Sequence, residues 1–381
     1  MKQDQEFLQA EGLGQSRISR TLDTDCLPVY DPEGHLDETL LARAGALIRS
    51  GALVAFPTET VYGLGANGLD PAAVKQIFAA KGRPGDNPLI LHIAAKEQIP
   101  PLVDQDLTPY SALMDALWPG PLTLIWKRSA RVPDEVTAGG DTVGIRMPSL
   151  VSARAFLRAC QCPVAAPSAN LSGRPSPTNA LDVYRDMAGR LPLILDGGDC
   201  AIGIESTVVD VTVHPAVILR PGFYTPDHLA PYLPGIRLDP ALLDQGQIPK
   251  SPGQKYKHYA PAAEMTIFIT KSDTMKQVLD RWAADYARAP RPEAVGFLVF
   301  DEGKEPLRQL LKEEGFQAPY VISQGSISNL TEMGHSLFTN LRRFDLAGIQ
   351  KIWAMGVPAE GYGASIMNRM RKAAAGRVIE G

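Results

Sequence analysis

Two cations separated by a single glycine, Lys81 and Arg83, follow a segment with helical periodicity in this chain. A lysine supplies a compact point charge and an arginine a planar fork of donors, so the pair suits a grip on phosphate oxygens. Cations at the C-terminal end of a helix are also favourable for a purely structural reason, and for this segment alone that alternative stays open. The Gly-x4-Gly-Lys-Ser/Thr spacing of a Walker loop is absent here.

Hydroxyl groups, a carboxylate and glycines follow a predicted strand directly at 56–65, in the order Phe-Pro-Thr-Glu-Thr-Val-Tyr-Gly-Leu-Gly. Ligand-binding groups often lie where a strand of an open α/β sheet meets its loop. The hydroxyls of Thr58 and Thr60 are therefore candidate binding groups. A turn whose polar groups satisfy one another fits this segment equally well.

A third candidate is the strand predicted at 141–148, where Thr142 and Arg146 lie on one side by the period of two. Burying Arg146 among apolar neighbours is costly without an anion partner, which favours a binding role as much as a structural one. His92 lies in the middle of an apolar strand and is more typical of a core histidine than of a ligand. Lys127 ends a strand, a position typical of a solvated lysine.

The segment 165–178 is a loop dense in small polar residues, among them Ser168, Asn170 and Ser176. Such loops can bring backbone N–H groups and hydroxyls against phosphate oxygens, although an ordinary Ser/Pro loop has the same composition. Further on, Glu-Ser-Thr at 205–207 enters another predicted strand, and Leu-Arg-Pro-Gly at 219–222 ends the domain.

An α/β scaffold must position these segments. Apolar periodicity predicts alternating helices and strands up to about residue 219, and hence an α/β domain with a mixed sheet whose strand order the pattern leaves open. The predicted helices are 36–49, 71–80 and 111–118, and the predicted strands are 52–56, 89–93 and 122–126.

Prolines and glycines interrupt this rhythm between 221 and 261, and a new strand–helix alternation follows. Repeated units of this size predict a smaller doubly wound parallel sheet, that is, a Rossmann-like domain. The predicted organisation is an N-terminal extension over 1–30, a first α/β domain over 31–222, a linker over 223–262 and a C-terminal domain over 263–381. The C-terminal strands are predicted at 265–270, 295–300, 320–323 and 349–355, and the helices at 274–287, 306–313, 330–344 and 364–375.

Composition narrows the protein class. With 381 residues, 45% hydrophobic residues and a net charge of −4, the chain has globular composition and is unsuited to coating nucleic acid by charge alone. Its four cysteines show no zinc or thioredoxin spacing and are expected to be reduced thiols. No apolar run approaches the ~20 residues of a membrane helix and the N-terminus lacks the apolar core of a signal peptide, so we expect a cytoplasmic protein without a membrane partner.

The motifs gain specificity from their joint order. Thr-Glu-Thr-Val-Tyr-Gly-Leu-Gly, Lys-Gly-Arg-Pro with Asn-Pro-Leu, Ser-Ala-Asn, Glu-Ser-Thr and Leu-Arg-Pro-Gly occur in succession at 58–65, 81–89, 168–170, 205–207 and 219–222. This set resembles the YrdC-like domain of the threonylcarbamoyl-AMP synthase family. The run 251–261 and the Ile-Met-Asn-Arg at 366–369 resemble the long, two-domain form of that family.

The resemblance implies a nucleotidyltransferase that joins L-threonine, bicarbonate or CO2, and ATP into threonylcarbamoyl-adenylate and pyrophosphate. It implies Mg²⁺ bound with ATP, held mostly by phosphates and water. It also implies that the product feeds the threonylcarbamoyladenosine modification of tRNA, with tRNA or tRNA-modification proteins as further partners.

Site residues are carried over position by position. Lys81 and Arg83 are expected to be catalytic, and the linker is expected to close over the active site through Tyr256. The ATP-binding residues implied by the resemblance are Lys81, Arg83, Asn87, Lys127, Thr142, Ser168, Asn170, Ser176, Arg220 and Tyr256. The L-threonine-binding residues implied are Thr58, Thr60, His92, Arg146, Ala166 and Ser206, with Arg146 facing the carboxylate.

Two other functions are weighed against this one. A double-stranded RNA- or tRNA-binding module without its own chemistry could use the same cations for a phosphate backbone. The neutral hydroxyl and amide groups among the candidates suit a small-molecule pocket better than a groove. A carbamoyl transferase is the other alternative, and the long linker and C-terminal domain count against it.

Overall fold

The computed structural model describes residues 22–242, 259–271, 273–316 and 319–380. Within these ranges the strands form an eleven-stranded mixed sheet and a separate five-stranded parallel sheet. We call the parts built on them the first and second domain. The two predicted α/β units, one mixed and one parallel, are confirmed.

The first domain's sheet has the order β1-β8-β2-β3-β7-β4-β6-β5-β9-β10-β11. Its strands are β1 (Asp25–Pro28), β2 (Val54–Phe56), β3 (Gly63–Asn67), β4 (Ile90–His92), β5 (Leu122–Lys127), β6 (Thr142–Arg146), β7 (Val164–Ala165), β8 (Leu193–Asp196), β9 (Thr207–Asp210), β10 (Val217–Arg220) and β11 (Arg237–Leu238). The pairs β1–β8, β2–β8, β4–β6, β5–β9 and β10–β11 are parallel, and the other neighbours are antiparallel.

Helices cover both faces of this sheet. They are α1 (Glu38–Arg49), α2 (Pro71–Lys81), α3 (Ser111–Leu117), α4 (Asp134–Thr137), α5 (Val151–Cys160), α6 (Ala180–Met187) and α7 (Pro226–Leu229). The apolar side chains of α1 and α5 share one core, and those of α2 and α6 belong to another. The sheet thus lies between two apolar layers, as its buried β2 and β4 require.

Local sequence signals fix the helix that leads into the cation pair. Asp70 caps the start of α2 by accepting a hydrogen bond from the Ala72 N–H at 2.9 Å, and Pro71 occupies the first helical position. Gly82 ends the helix in the left-handed conformation at φ 61°, which a residue without a Cβ adopts most easily. The chain therefore turns immediately after Lys81 and presents Arg83 beyond the helix end.

Strand register brings distant positions into one row. In the parallel pair β4–β6, His92 lies opposite Arg146, and in the antiparallel pair β5–β6 Arg146 lies opposite Thr123. Thr207 begins the neighbouring strand β9 opposite Leu122, so Ser206 lies at the same edge. The sheet therefore brings residues from four separate segments together at the same ends of its strands.

The second domain has the order β14-β13-β15-β12-β16, with all its strands parallel. Its strands are β12 (Glu264–Ile269), β13 (Val295–Val299), β14 (Tyr320–Ser323), β15 (Lys351–Gly356) and β16 (Val378–Glu380). Its helices are α8 (Met275–Ala287), α9 (Asp301–Glu313), α10 (Leu330–Leu346) and α11 (Gly361–Ala373). The chain first moves across the sheet in one direction and then returns, so right-handed crossovers place α8 and α9 on one face and α10 and α11 on the other. This agrees with the predicted doubly wound class.

Three sequence predictions need correction. The extension predicted to be loose over 1–30 is described from residue 22 onward. In that part β1 pairs in parallel with β8 and Val29 is fully buried, so backbone pairing orders a segment whose composition is polar. Helix α9 begins at Asp301 instead of 306, because acidic residues favour its first turn and Pro306 is tolerated inside it. In the described part of the predicted linker, Leu229 and Leu233 are buried in the first domain's core, so 223–242 belongs to that domain.

The two domains meet through backbone as well as side chains. A Cβ built on Gly203 would lie 2.5 Å from the Cα of His335 in α10, and Gly203 itself has φ +79°. The hydroxyls of Thr178 and Thr339 are 2.8 Å apart across the same boundary. The second domain therefore packs directly against the loops that carry the predicted site residues.

Candidate active site

A cleft lies beside the ends of β4 and β6. Most of the predicted site residues line it: Thr58, Lys81, Arg83, His92, Arg146, Ala166, Ser168, Asn170, Ser176, Ser206 and Arg220. Sequence segments more than a hundred residues apart thus converge on one cleft. Because the convergence depends on strand order, the motifs alone could not establish it.

Lys81 is buried and its ammonium is directed at a neighbouring loop. The Nζ donates to the backbone oxygen of Ser168, to the backbone oxygen of Asn170 at 2.6 Å and, at 3.5 Å, to the Asn170 side-chain oxygen. Burial and the positive charge of Arg83 lower the pKa of Lys81 well below its usual value. This geometry revises the predicted direct phosphate grip of Lys81, because its donors already hold the loop in place.

Arg83 is the cation of the pair that reaches the cleft with part of its side chain exposed. Its Nη2 donates to the backbone oxygen of Asn87 at 3.2 Å, and its guanidinium lies 5.9 Å from the ring centroid of Phe78. These contacts orient the planar fork along the cleft wall. Arg83 therefore remains the stronger candidate for phosphate contact.

The polar loop after β7 is held by its own side chains and by one aspartate. The Ser168 hydroxyl donates to the Asn170 Oδ1 at 2.5 Å, and the Asn170 Nδ2 donates to the backbone oxygen of Arg174 at 3.0 Å. The buried carboxylate of Asp186 accepts from the Leu171 N–H at 3.3 Å and from Arg174 at 2.8 Å. Although burial raises the pKa of Asp186, Arg342 and Arg174 outweigh it and hold that pKa below its usual value.

His92 is 4% exposed and lines the cleft. Burial and the charge of Arg146 lower its pKa to about 3, so the imidazole is neutral near neutral pH. The ring packs edge-on against Phe56 with centroids 5.9 Å apart. A neutral imidazole at a cleft wall can donate one hydrogen bond and accept another without adding charge.

Arg146 already has an anion partner in the protein. Its Nη2 lies 2.8 Å from the Glu59 Oε1, and both side chains are almost completely buried. Its Nη1 donates to Thr60 Oγ1 at 2.8 Å, and the Thr60 and Thr58 hydroxyl oxygens are 2.8 Å apart. The Thr58 hydroxyl donates onward to the Val61 backbone oxygen at 2.6 Å, so the charge of Arg146 fixes the direction of this hydrogen-bond chain.

Across the cleft, Arg220 is tied to Ser206. Its Nε donates to the Ser206 backbone oxygen and its Nη2 to the Ser206 hydroxyl, each at 3.0 Å. The Ser206 hydroxyl is also 2.8 Å from that of Thr123 on β5. This network presents one cation and one hydroxyl to the cleft as a single unit.

Glu205 and Tyr259 are among the cleft residues that the sequence did not predict. Glu205 lines the cleft, where its Oε1 accepts from the Ser176 hydroxyl at 2.6 Å. Tyr259 also lines it, within the run 251–261 that resembles the two-domain form of the family. This run holds two tyrosines, and the resemblance assigned the closing role to the other one, Tyr256, which lies outside the described residues.

Other predicted residues lie away from the cleft lining. Thr60 and Asn87 are buried behind it, where they contact Arg146 and Arg83. Thr142 and Lys127 face each other at the far end of β6 and β5 from Arg146, and Lys127 is exposed. The structure therefore does not bring these two to the cleft, and their assignment to ATP stays a prediction.

The burial of these cations bears on the nucleic-acid alternative. Lys81 and Arg146 are 3% and 4% exposed and are engaged by protein groups. A concave basic surface built from Lys81, Arg83, Lys127 and Arg146 therefore does not exist in the described residues. Among those residues, no helix is long and apolar enough to cross a membrane.

Two family models match the chain in succession. The model for Sua5/YciO/YrdC proteins, described as "Telomere recombination", matches residues 46–222. The model described as "Threonylcarbamoyl-AMP synthase, C-terminal domain" matches residues 225–375. The boundary between the two matches falls directly after the Leu-Arg-Pro-Gly segment at 219–222.

Similar proteins cover nearly the whole chain. A protein from Pyrococcus abyssi named threonylcarbamoyl-AMP synthase is 41% identical over 91% of this chain and 97% of its own length. One of the same name from Bacillus subtilis is 43% identical over 93% of this chain and 97% of its own length. The crystal structure of P. abyssi Sua5 complexed with L-threonine superposes with a TM-score of 0.84 at 39% identity, covering 94% of this chain and 99% of that one.

Proposed function

Because this chain belongs to the threonylcarbamoyl-AMP synthase family, we propose that it makes L-threonylcarbamoyladenylate from L-threonine, bicarbonate or CO2, and ATP, with release of pyrophosphate. The observation that supports this most directly is the pairing of two kinds of surface in one cleft. One side carries Arg83, Arg220 and the polar loop at 168–176. The other carries His92, Thr58 and Ala166. We call them the nucleotide side and the threonine side.

The nucleotide side suits a triphosphate. Arg83 and Arg220 offer planar donor forks, and the hydroxyls of Ser168 and Ser176 lie on the loop between them. Phosphate oxygens accept bidentate hydrogen bonds from arginine. The Ser168 and Ser176 hydroxyls donate to Asn170 and Glu205, so they hold the shape of the loop beside the phosphates. In this arrangement Lys81 acts through the loop it holds, and its contribution is to keep Ser168 and Asn170 in place before ATP arrives.

The threonine side suits a small amino acid. The neutral ring of His92 can bond to polar substrate atoms, and Ala166 leaves an apolar wall for a methyl group. The Thr58 hydroxyl already donates to the Val61 backbone oxygen and so holds the turn that lines this side. The Arg146 guanidinium is balanced by Glu59, so its attraction for a substrate carboxylate is weaker than that of a lone buried arginine. A complex of P. abyssi Sua5 with L-threonine is consistent with this assignment.

The chemistry needs positioning more than a protein nucleophile. The threonine amine adds to CO2 and loses a proton, giving a carbamate. A carbamate oxygen then bonds to the α-phosphorus of ATP as the bond to the β-phosphate oxygen breaks and pyrophosphate leaves. Negative charge accumulates on phosphate oxygens, where fixed cations such as Arg83 and Arg220 lower the barrier.

We propose that Mg²⁺ enters as the complex with ATP. Glu205 is the carboxylate among the described residues that line the cleft, and each of its side-chain oxygens already accepts a hydrogen bond, one from Ser176 and one from Arg369. In the described part of the chain no group of three or more His, Cys, Asp or Glu side chains could hold a metal ion. Phosphates and water are therefore the proposed ligands, and the ion would neutralise phosphate charge there.

The proposed product is a mixed anhydride of a carbamate and AMP, which is an activated acyl donor. We propose that the next reaction transfers the threonylcarbamoyl group of this product to the adenosine amine in tRNA, yielding threonylcarbamoyladenosine. Contact of this chain with tRNA or with a tRNA-modification protein is part of the same proposal.

A threonine-dependent pyrophosphate assay tests the function. With ATP, Mg²⁺, bicarbonate and L-threonine, we expect pyrophosphate release together with an adenylate that carries the label of radioactive threonine. Leaving out threonine, or replacing it with glycine, should reduce release to background. Equal release without threonine would show that the proposed substrate is wrong.

A further inference from the structure

Arg369 lies in α11 of the second domain, is 0% exposed, and reaches the wall of the first domain's cleft. Its Nε donates to the Glu205 Oε2 at 3.0 Å, and its Nη2 donates to the Glu205 backbone oxygen at 3.3 Å. Its Nη1 donates to the Pro221 backbone oxygen and, at 3.2 Å, to that of Ser365. One side chain from the second domain therefore links two separate loops of the first.

Both contacts of Arg369 lead to nucleotide-side residues of the cleft, to Ser176 through Glu205 and to Arg220 through Pro221. Glu205 precedes Ser206, and Pro221 follows Arg220. On the cleft side, Glu205 accepts from the Ser176 hydroxyl at 2.6 Å, so Ser176 is oriented by the same carboxylate that Arg369 holds. Arg369 thus acts on Ser176 through Glu205 and on Arg220 through Pro221.

Electrostatics strengthen this link. Burial raises the pKa of Glu205, but Arg369, Arg220 and the Ser176 hydrogen bond outweigh it and lower that pKa. The carboxylate is therefore charged although it is buried, and removing Arg369 would leave it with much less compensation. A buried charge that loses its partner moves toward water or another cation, and Arg220 is a second cation that lowers the pKa of Glu205 and lines the cleft.

The contacts around Arg369 make the link rigid. The Ser365 hydroxyl, one turn earlier in α11, donates to the Gly222 backbone oxygen at 2.7 Å. A Cβ on Gly222 would lie 2.3 Å from the Thr207 nitrogen, so the two loops touch through their backbones. On the next turn of α11, the Lys372 ammonium lies 6.0 Å over the ring of the cleft residue Tyr259.

We propose that Arg369 is a positioning residue for ATP binding, supplied by the second domain to the nucleotide side of the cleft. It fixes the orientation of Ser176 through Glu205 and the position of Arg220 through Pro221, without touching the nucleotide itself. This proposal rests on the proposed function for the identity of the nucleotide. It gives the second domain a direct part in the active site.

The test uses the full chain and three substitutions: Arg369→Met, Arg369→Lys and Glu205→Gln. For Arg369→Met we expect a KM for ATP raised about tenfold and a KM for threonine within about twofold of the original. Arg369→Lys keeps the charge but cannot bond to Glu205 and Pro221 together, so an intermediate rise is expected. The double variant Arg369→Met with Glu205→Gln should be no worse than Arg369→Met, because both changes break one link.

The matched control is Arg371→Met, which removes a partly exposed arginine from the same helix that is not among the described partners of Glu205. It should leave both KM values unchanged. If folded Arg369→Met binds ATP as tightly as the original protein, or if both KM values rise equally as in general loosening, the proposal is wrong. If Arg369→Met does not fold, Arg369→Lys decides by the same criterion.

Affinity for a non-hydrolysable ATP analogue separates this proposal from the proposed function. Absence of threonine-dependent pyrophosphate release in the unaltered protein would contradict the function alone. The analogue's dissociation constant would still be expected to rise about tenfold in Arg369→Met. An unchanged dissociation constant would contradict the role of Arg369 alone.

Discussion

On the threonine side of the cleft, His92 and Arg146 lie opposite each other on paired strands, whereas on the nucleotide side Ser168, Asn170 and Ser176 lie in one irregular loop. Strand pairing fixes the first two through backbone hydrogen bonds that any sequence in the register would make. The loop has no ladder and depends on Lys81 and Asp186 for its shape. Strand pairing therefore places the residues of the threonine side, whereas a few buried charges hold the loop of the nucleotide side.

Removing Lys81 should have the largest effect. In Lys81→Met the backbone oxygens of Ser168 and Asn170 lose their donor, at a cost of about 1–3 kcal/mol for each group left buried and unsatisfied. The loop should shift away from the phosphates, and we expect kcat/KM to fall by on the order of 10²–10³. Pyrophosphate release measures this fall in kcat/KM, and near-ultraviolet circular dichroism shows whether the fold remains.

The control for that change is Lys75→Met, which removes an exposed lysine of the same helix, 3.1 Å from Glu135. Its activity should match that of the unaltered protein. A Lys81→Met protein that keeps its activity would show that the loop does not need this ammonium, and the contrast between the two sides would lose its main support.

Asp186→Asn should have a smaller effect confined to the nucleotide side. The amide keeps the shape but loses the charge that holds Arg174 and Arg342, each with a nitrogen 2.8 Å from the carboxylate. We expect the KM for ATP to rise about tenfold while the KM for threonine stays within about twofold. Steady-state kinetics with each substrate varied in turn separates the two.

An exposed aspartate, Asp280, provides the comparison, since Asp280→Asn only removes a surface pair with Lys276. That variant should be kinetically silent. Should Asp186→Asn raise the KM for threonine as much as that for ATP, the two sides of the cleft are not independent.

On the threonine side, the lowered pKa of His92 predicts that the free energy of unfolding depends on pH. Its folded pKa is about 3 against an ordinary 6.5, so below pH 6.5 the unfolded chain binds a proton that the folded protein does not. The folded state should therefore lose stability as pH falls from 6.5, by about 1.4 kcal/mol per pH unit at most. Above pH 6.5 the histidine should contribute no slope.

Urea unfolding at a series of pH values between about 5 and 8 measures this slope. His92→Gln should remove it, while His35→Gln, at an exposed position, should leave it unchanged. Equal slopes in His92→Gln and the unaltered protein would mean that His92 is not held neutral by burial.

The sequence predicted the two α/β units and most segments of the cleft, because apolar periodicity and motif order are local signals. It could not predict that His92 and Arg146 are neighbours, since this follows from the β4–β6 pairing across fifty residues of chain. The apolar pattern alone indicated a core position for His92, and the structure shows that His92 is both buried and part of the cleft lining.

Partners supplied by distant parts of the chain were the hardest to predict. Glu59 was identified only as the carboxylate of a candidate segment, and its pairing with Arg146 depends on the packed fold. Arg369 lay in a recognised C-terminal motif, but no periodicity connects it with Glu205. Long-range buried ion pairs leave no mark in a single sequence beyond the presence of charged residues in apolar surroundings.

The backbone contact at Gly203 has a consequence for protein engineering. Because the Cα of His335 occupies the space where any side chain at position 203 would begin, the second domain fits against main chain rather than against adjustable side chains. Exchanging second domains between relatives therefore requires a glycine here and the same course of the incoming helix. We therefore expect this single contact to be a better guide than overall sequence identity to which chimeras assemble.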